Sequence, residues 1–176
     1  MAASGRRREE RWSVAGKAAL VTGGSKGIGR AIVDELAGFG VRVHTCACGD
    51  PDLQECLHQW GADGRLARVT GTACDVTVHA DRERLVAAAR EELGGRLDIL
   101  VNNAGQTMFQ LTTETTAEDY ARLMATNLES CYHLAQLAHP LLVAAAATPA
   151  ASSTSPPSAG LSPTWQCPCT RRPRPP

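Results

Sequence analysis

One short segment combines the residue types that can hold a phosphate. It reads Thr22-Gly23-Gly24-Ser25-Lys26-Gly27-Ile28-Gly29 and stands between an apolar run and a segment with helical spacing. Glycines let the backbone turn tightly and approach a pyrophosphate, and the helix that follows offers unpaired N–H groups and a positive dipole end. We therefore predict that a dinucleotide contacts Thr22, Gly23, Ser25, Lys26, Gly27, Ile28 and Gly29.

The elements that must position this segment alternate in type along the chain. Short apolar runs predict strands over residues 17–22, 41–46, 66–74 and 97–101. Apolar residues at helical spacing predict helices over 30–38, 52–60, 81–93 and 117–142. Strands that alternate with helices indicate an α/β domain with a parallel sheet.

The spacing T-G-x-x-x-G-I-G resembles that of the short-chain dehydrogenase/reductase family, classical type. Further matches follow in the family's order: Cys74-Asp75-Val76, then Asn102-Asn103-Ala104-Gly105, then Asn127 in the long helix. The resemblance implies that Asp75 hydrogen-bonds the adenine and that Asn102, Asn103, Ala104 and Gly105 line the nicotinamide side. It also implies that the backbone carbonyl of Asn127 holds a water in the proton relay.

The amino-acid sequence is most similar to the plant tropinone-reductase-like branch of this family, over about residues 12–142. Matching stretches include Thr126-Asn-Leu-Glu-Ser130 and the run from His133 to Leu142. The branch implies a Rossmann-type parallel sheet with helices on both faces. It further implies NADPH-dependent reduction of a small ketone, and a homo-oligomer formed through the helix at 117–142.

The choice between NADP and NAD depends on charge near the end of the second strand and in the glycine segment. An NADP 2′-phosphate needs a cation there, and Lys26 is well placed to supply one. The branch normally has an arginine after Cys46-Ala47, where this chain has Cys48. No acidic residue stands directly at the strand end, although Asp50 is two positions further on. We predict NADP rather than NAD, bound weakly.

Composition excludes several classes of protein. The 18 basic and 18 acidic residues give no net charge, which argues against a nucleic-acid partner. We expect no membrane span, since no apolar stretch is long enough, and no secretion signal. Seven cysteines in a chain of this length indicate reduced thiols and a cytoplasmic location. Cys46-x-Cys48 and Cys167-x-Cys169 have no histidines at ligand spacing, so we predict no metal site.

The balanced charge is the sum of unlike parts. Residues 144–176 hold eight of the ten prolines and no lysine, aspartate or glutamate. Such a segment cannot bury enough apolar surface to offset its ordering entropy. We predict a flexible polar arm at 1–12, an incomplete nucleotide-binding domain at 13–143, and a disordered Pro/Ser/Ala-rich segment at 144–176.

The catalytic residues of the resembled family are missing from this sequence as written. The family uses a serine on its fifth strand and a Tyr-x-x-x-Lys pair on the next helix. No lysine follows Leu142, and Tyr132 is followed four residues later by Gln136. Four strands are predicted, and the fifth strand onward is absent. The alternative to a reductase is therefore a catalytically inactive nucleotide-binding fragment, or an interaction partner of intact homologues.

A shift of reading frame would account for the C-terminal segment. Codons shifted by two bases permit Gly-Ser-Ile-Val-Asn-Ile-Ser-Ser from residues 150–157. The same shift permits Tyr-Ala-Ala-Thr-Lys-Ala from residues 169–175. Both are family signatures, and their separation agrees with the family's spacing. The hypothesis is a frameshift or misjoined exon after about Val143, and a genuine alternative C-terminus is its competitor.

Overall fold

The computed structural model describes residues 13–64, 66, 68–109 and 111–147. Its strands are β1 (Ala18–Thr22), β2 (Arg42–Ala47), β3 (Val69–Ala73) and β4 (Ile99–Val101). Its helices are α1 (Gly27–Gly38), α2 (Asp50–Ala62), α3 (His79–Glu92), α4 (Ala117–Met124) and α5 (Ser130–Ala147). A π-helical segment, Ala125–Glu129, joins α4 to α5. The arm predicted at 1–12 and residues 148–176 lie outside the described residues.

The four described strands form one parallel sheet in the order β3-β2-β1-β4. The register places Val21 of β1 beside Thr45 of β2 and Val101 of β4. The carboxyl ends of the strands therefore meet at one edge, where nucleotide sites of this architecture lie. The predicted Rossmann-type α/β fold is confirmed for this part of the chain.

Helices cover both faces of the sheet, and β1 contributes to both cores. Ala18 and Leu20 pack with residues of α3 and α5 on one face. Ala19 and Val21 pack with residues of α1 and α2 on the other. All five residues of β1 are buried. A parallel strand that is covered on both faces needs a continuous apolar run, which is the pattern that predicted β1.

Several predicted boundaries are wrong by one to five residues, and two of these differences have a local cause. The third strand begins at Val69 rather than at Leu66, because the Leu66 N–H donates to Asp63 O and the Val69 N–H donates to Leu66 O in a turn. The last helix continues to Ala147, four residues past the predicted domain end at 143. Alanine has the highest helix propensity, and Ala145 is buried, so the helix extends through the alanine run.

The long helix predicted over 117–142 is not uniform. It begins with a capping box formed by Thr116 and Asp119, and it widens into π-helical geometry at Ala125–Glu129. Here the Thr126 Oγ1 donates to Arg122 O, and the Ser130 Oγ donates to Thr126 O. Side chains that bond carbonyls of the preceding turn accompany such distortions, and π-turns occur often at functional sites. No helix among the described residues is long and apolar enough to span a membrane.

Candidate functional site

The turn between β1 and α1 is anchored to the end of β2. The backbone N–H groups of Gly23 and Gly24 donate to Cys46 O at 2.9 and 3.1 Å. Gly23 has a φ of +72°, which favours glycine. A Cβ on Gly29 would overlap the carbonyl oxygen of Gly23 and the side-chain amide of Asn103. The sequence therefore needs glycine at these two positions to fold the turn against its neighbours.

Thr22 and Asn103 tie this turn to the end of β4. The Thr22 Oγ1 accepts from the backbone N–H groups of Asn103 and Ala104 at 3.0 and 2.9 Å. The Asn103 Nδ2 donates to Thr22 O at 2.9 Å and to Gly23 O at 3.2 Å. Two segments that are 80 residues apart in sequence thus form one rigid wall.

A cleft of about 540 Å³ opens at the carboxyl edge of the sheet. Most of the predicted contact residues line it: Gly23, Ser25, Lys26, Ile28, Gly29, Asp75, Asn103, Ala104 and Gly105. The structure brings together the glycine turn, the end of β3 and the end of β4. Thr22, Gly27 and Asn102 do not line the cleft. The Thr22 hydroxyl instead holds the strand-end segment that forms the wall of the cleft. Gly27 lies within the turn and has a φ of +57°.

Three charged residues line the cleft: Lys26, Asp75 and Arg122. Lys26 is exposed, and its side chain makes no ion pair or hydrogen bond with any residue that the structure describes. Cys48 is exposed and lines the same cleft near the end of β2. Asp50 does not line it, and its carboxylate accepts a hydrogen bond from Gln54. Among the described residues, the cleft lining thus has Lys26 in the glycine turn and no carboxylate from β2 or from the segment that follows it directly.

Asp75 begins a tight loop that forms one wall. Its Oδ1 accepts from the Thr77 N–H at 2.9 Å and from the Thr77 Oγ1 at 2.7 Å. The Asp75 N–H donates to Asp81 Oδ2 at 3.1 Å, which joins the loop to α3. Val76 and Thr77 line the cleft beside Asp75. The carboxylate is exposed at the position predicted to meet the adenine.

Asn127 clasps the strand-end segment at the other side of the cleft. Its Oδ1 accepts from the Gln106 N–H at 2.9 Å, and its Nδ2 donates to Gln106 O at 2.8 Å. The Asn127 backbone carbonyl accepts a hydrogen bond from Cys131 Sγ at 3.4 Å. Asn127 and Asn102 line a second depression of about 430 Å³, which shares Asn103 and Gly105 with the main cleft.

Sequence reasoning missed three residues near this end of the cleft. Gln106, Arg122 and Thr126 all line it. Gln106 follows the predicted Asn102–Gly105 segment directly. Arg122 and Thr126 are four residues apart, a spacing that places them on the same face of a helix, and this could have indicated that they line the cleft together.

Cys46 and Cys74 are buried thiols at the floor of the cleft, where β2 and β3 end. Hydrogen bonding to Cys46, followed by burial and the negative charges of Cys46, Asp81 and Asp75, raises the pKa of Cys74 above its usual range. Cys74 is therefore a neutral thiol that packs as an apolar side chain. Among the described residues, no three or more His, Cys, Asp or Glu side chains group as metal ligands.

The family profile described as short chain dehydrogenase matches residues 17–151 of this chain. A tropinone reductase homolog of Arabidopsis thaliana is 51% identical over 136 residues, which are 77% of this chain and 51% of the relative. Senescence-associated protein 13 of the same plant is 54% identical over 134 residues, which are 76% of this chain and 49% of the relative. The chain spans about half the length of the curated relatives that it matches.

Solved structures match the same region. The Pseudomonas aeruginosa RhlG/NADP active-site complex is 34% identical with a TM-score of 0.68, covering 76% of this chain and 50% of that one. A blue fluorescent protein from a metagenomic library, in complex with NADPH, is 33% identical with a TM-score of 0.67, covering 73% and 52%. A short chain dehydrogenase/reductase of Burkholderia phymatum in complex with NAD is 28% identical with a TM-score of 0.70, covering 76% and 46%.

The family match extends over most of the chain and includes the glycine turn, the Asp75 loop and the Asn102–Gly105 strand end. Relatives named as tropinone reductase homologs are half identical to it over that region. The chain belongs to the short-chain dehydrogenase/reductase family of oxidoreductases, in its tropinone-reductase-like branch.

Proposed function

We propose that this chain binds NADP(H) in the cleft at the carboxyl edge of its sheet. The observation that carries the proposal is the cradle formed by Gly23 and Gly29, where a side chain on Gly29 would fill the close contact with Gly23 O. The N-terminus of α1 follows directly, and it favours negative charge. The fit of these residues to a pyrophosphate supports a nicotinamide dinucleotide, which would supply or accept a hydride.

NADP is the preferred form in this proposal. Lys26 lines the cleft without a carboxylate partner among the described residues, so it is available to a 2′-phosphate. Asp50, the acidic residue nearest in sequence to the β2 end, lies outside the lining and bonds Gln54. The similar solved structures hold NADP or NADPH in two cases and NAD in another, so the charge at this end of the cleft is the discriminating feature.

The substrate class proposed for the intact protein is a small ketone, reduced with NADPH. This sequence as written has no Tyr-x-x-x-Lys pair and no lysine after Leu142. A tyrosine proton donor whose pKa is lowered by a nearby lysine is what carbonyl reduction in this family needs. We therefore propose that the chain as written binds the nucleotide and does not turn over. A cytoplasmic location stays a prediction from the cysteine content.

Titration of NADPH fluorescence with the full chain tests the proposal. We expect binding, weaker binding of NADH, and no oxidation of NADPH when small ketones are added. Lys26→Ala should lower the affinity for NADPH by roughly tenfold and the affinity for NADH much less. The reason is that the variant loses a charge-assisted hydrogen bond to the 2′-phosphate, which NADH does not have. Arg90→Ala, an exposed cation on α3 outside the cleft, is the matched control. If the Lys26 variant binds NADPH and NADH with the same affinities as the wild type, the assignment is contradicted.

Cys48 offers a test in the opposite direction. It is exposed in the cleft at the position where the branch normally has an arginine. Cys48→Arg should tighten NADPH by roughly tenfold through a second cation and leave NADH unchanged. No tightening of NADPH at all would count against the placement of the 2′-phosphate.

A second candidate function is association with intact homologues through the helix at 117–142. Large apolar side chains are exposed there: Tyr120 at 58%, Leu128 at 59% and Tyr132 at 66%. A shallow depression between them is lined by Ala121, Met124, Ala125, Leu128, Glu129 and Tyr132. Exposed apolar patches on a helix face are typical of protein interfaces.

Co-purification of the tagged chain with a full-length tropinone reductase homolog tests this candidate. Leu128→Glu places a charge in the patch and should abolish co-purification. Leu111→Glu, which changes an exposed leucine outside that depression, is the control and should leave it intact. Retention of the homologue by the Leu128 variant would remove this candidate.

A further inference from the structure

Arg82 of α3 is a buried cation that does not line the cleft. Its side chain is 1% exposed. Charged side chains are almost never fully buried unless they are paired. The hydrogen bonds of its Nε, Nη1 and Nη2 reach different segments around the cleft.

One set of contacts reaches the wall that carries Asp75. The Arg82 Nη1 donates to Val76 O at 2.8 Å and to Thr77 O at 3.4 Å. Val76 and Thr77 line the cleft beside Asp75. The guanidinium therefore holds the carbonyls of the loop that presents Asp75.

A second set of contacts reaches the π-helical segment and α5. The Arg82 Nη2 donates to Glu129 Oε1 at 2.8 Å, in an ion pair at the end of the π-helical segment. The Arg82 Nε donates to His133 Nδ1 at 2.9 Å on α5. The same π-helical segment carries Asn127, which clasps Gln106, and Thr126, which lines the cleft.

We propose that Arg82 is a positioning residue for the nucleotide site, which links the Asp75–Thr77 wall to the π-helical segment through Glu129 and His133. The proposal rests on the proposed nucleotide binding. A planar guanidinium with five N–H donors in fixed directions can serve four acceptors at once, whereas a lysine ammonium is a single point charge.

His133 makes this link sensitive to pH. Its Nδ1 accepts the Arg82 hydrogen bond, and a protonated ring carries a proton on that nitrogen and cannot accept. The groups that face His133 are His79, Arg82 and Glu83 of α3 and Glu129 of the preceding segment, and β4, which also packs on α5, has no titratable residue. His79 stacks on it with ring centroids 3.9 Å apart. Partial burial, then the charges of His79 and Arg82, lower the pKa of His133 against the pull of the two glutamates.

The first experiment compares Arg82→Lys with Arg90→Lys in the full chain. Arg82→Lys should lower the affinity for NADPH by roughly tenfold, because the hydrogen bonds to the Asp75–Thr77 loop are lost while the positive charge is kept. It should also speed hydrogen exchange at the Thr77 and Val78 amides, which bond Asp75 in the wild type. Arg90→Lys should change neither. A lower melting temperature with unchanged NADPH affinity and unchanged exchange at these amides would overturn the proposal.

The second experiment follows NADPH affinity from about pH 7.5 to about pH 4.5, well below the usual pKa of histidine, because the pKa of His133 is lowered. As the pH falls, the wild type should lose more NADPH affinity than His133→Asn does. The asparagine oxygen can replace the Nδ1 acceptor, but it does not titrate. The ligand's phosphate titrates in this range and contributes equally to both proteins. His139→Asn, an exposed site on the same helix, should follow the wild type. Superimposable profiles of wild type and His133→Asn would overturn the pH link.

Failure of the proposed function is distinguishable from failure of this inference. A wild-type chain that binds no NADPH at any pH refutes nucleotide binding. Hydrogen exchange at Thr77 and Val78 would still measure whether Arg82 holds the loop, since that readout needs no ligand.

Discussion

His44 is a buried polar side chain on β2 that joins two threonines of β3. It is 1% exposed. Its Nδ1 lies 2.7 Å from Thr70 Oγ1 and its Nε2 lies 3.0 Å from Thr72 Oγ1. Burial lowers the pKa of His44 to about 4. The folded state thus favours the neutral ring, which lets a polar residue occupy a buried position of β2.

This pKa predicts how stability depends on pH. The unfolded chain binds a proton to His44 near the usual pKa of 6.5, and the folded chain does so only near 4. Stability is therefore complete above about pH 6.5 and falls as the pH drops toward 4, by about 3 kcal/mol in total. Urea unfolding across this range should show a steeper loss for the wild type than for His44→Gln, which has no titratable group.

Parallel curves for wild type and His44→Gln would contradict that assignment. Asp98 does not interfere within this window. Burial alone would raise the pKa of Asp98, but donation from Arg96, the Ala18 N–H and Lys17 lowers it below its usual range. A carboxylate of this kind loses its contribution to stability only below about pH 4.

At the scale of elements, the turn between β1 and α1 depends on its contact with the end of β4. Gly29 lies in the first turn of α1, and its Cα faces Gly23 O and Asn103 closely enough that a Cβ has no room. The contact sets how closely α1 approaches the sheet. The same approach leaves the cleft open above it.

Gly29→Ala should destabilise the chain by about 1–3 kcal/mol through overpacking and weaken NADPH binding by more than roughly tenfold. Gly38→Ala is the matched control, because Gly38 is also in α1 and a Cβ there meets nothing within 4 Å. The control should be neutral or slightly stabilising, since alanine has the higher helix propensity. Chemical denaturation and NADPH titration of both variants measure the difference, and equal behaviour would refute the steric explanation.

At the scale of the whole molecule, β4 is an edge strand of the sheet that the described residues form. Among the described strands, β4 pairs with β1 alone, and its residues Ile99, Leu100 and Val101 are only partly buried. A short apolar edge strand is a template for pairing with another chain.

We expect the full chain to self-associate, with light scattering showing oligomers or aggregates. A soluble monomer with a cooperative thermal transition would argue against this expectation.

The transcript tests the proposed change of reading frame. Sequencing it should reveal bases that encode Tyr-x-x-x-Lys in the shifted frame over residues 169–175. Bases that do not encode that pair would leave the alternative C-terminus as the explanation.

The sequence by itself determined the elements, their order and most of the cleft. β1 was predictable because burial on both faces demands an unbroken apolar run, and the glycine turn because positive φ and close approach exclude other residues. The tertiary structure alone decided where the long helix widens, since this depends on side chains that bond carbonyls one turn back. It also decided that Arg82 is buried and bonds both the Asp75–Thr77 loop and the segment around Glu129 and His133. Local sequence reports periodicity and turn chemistry, but a polar residue's burial depends on partners 47 and 51 positions away that only folding brings near.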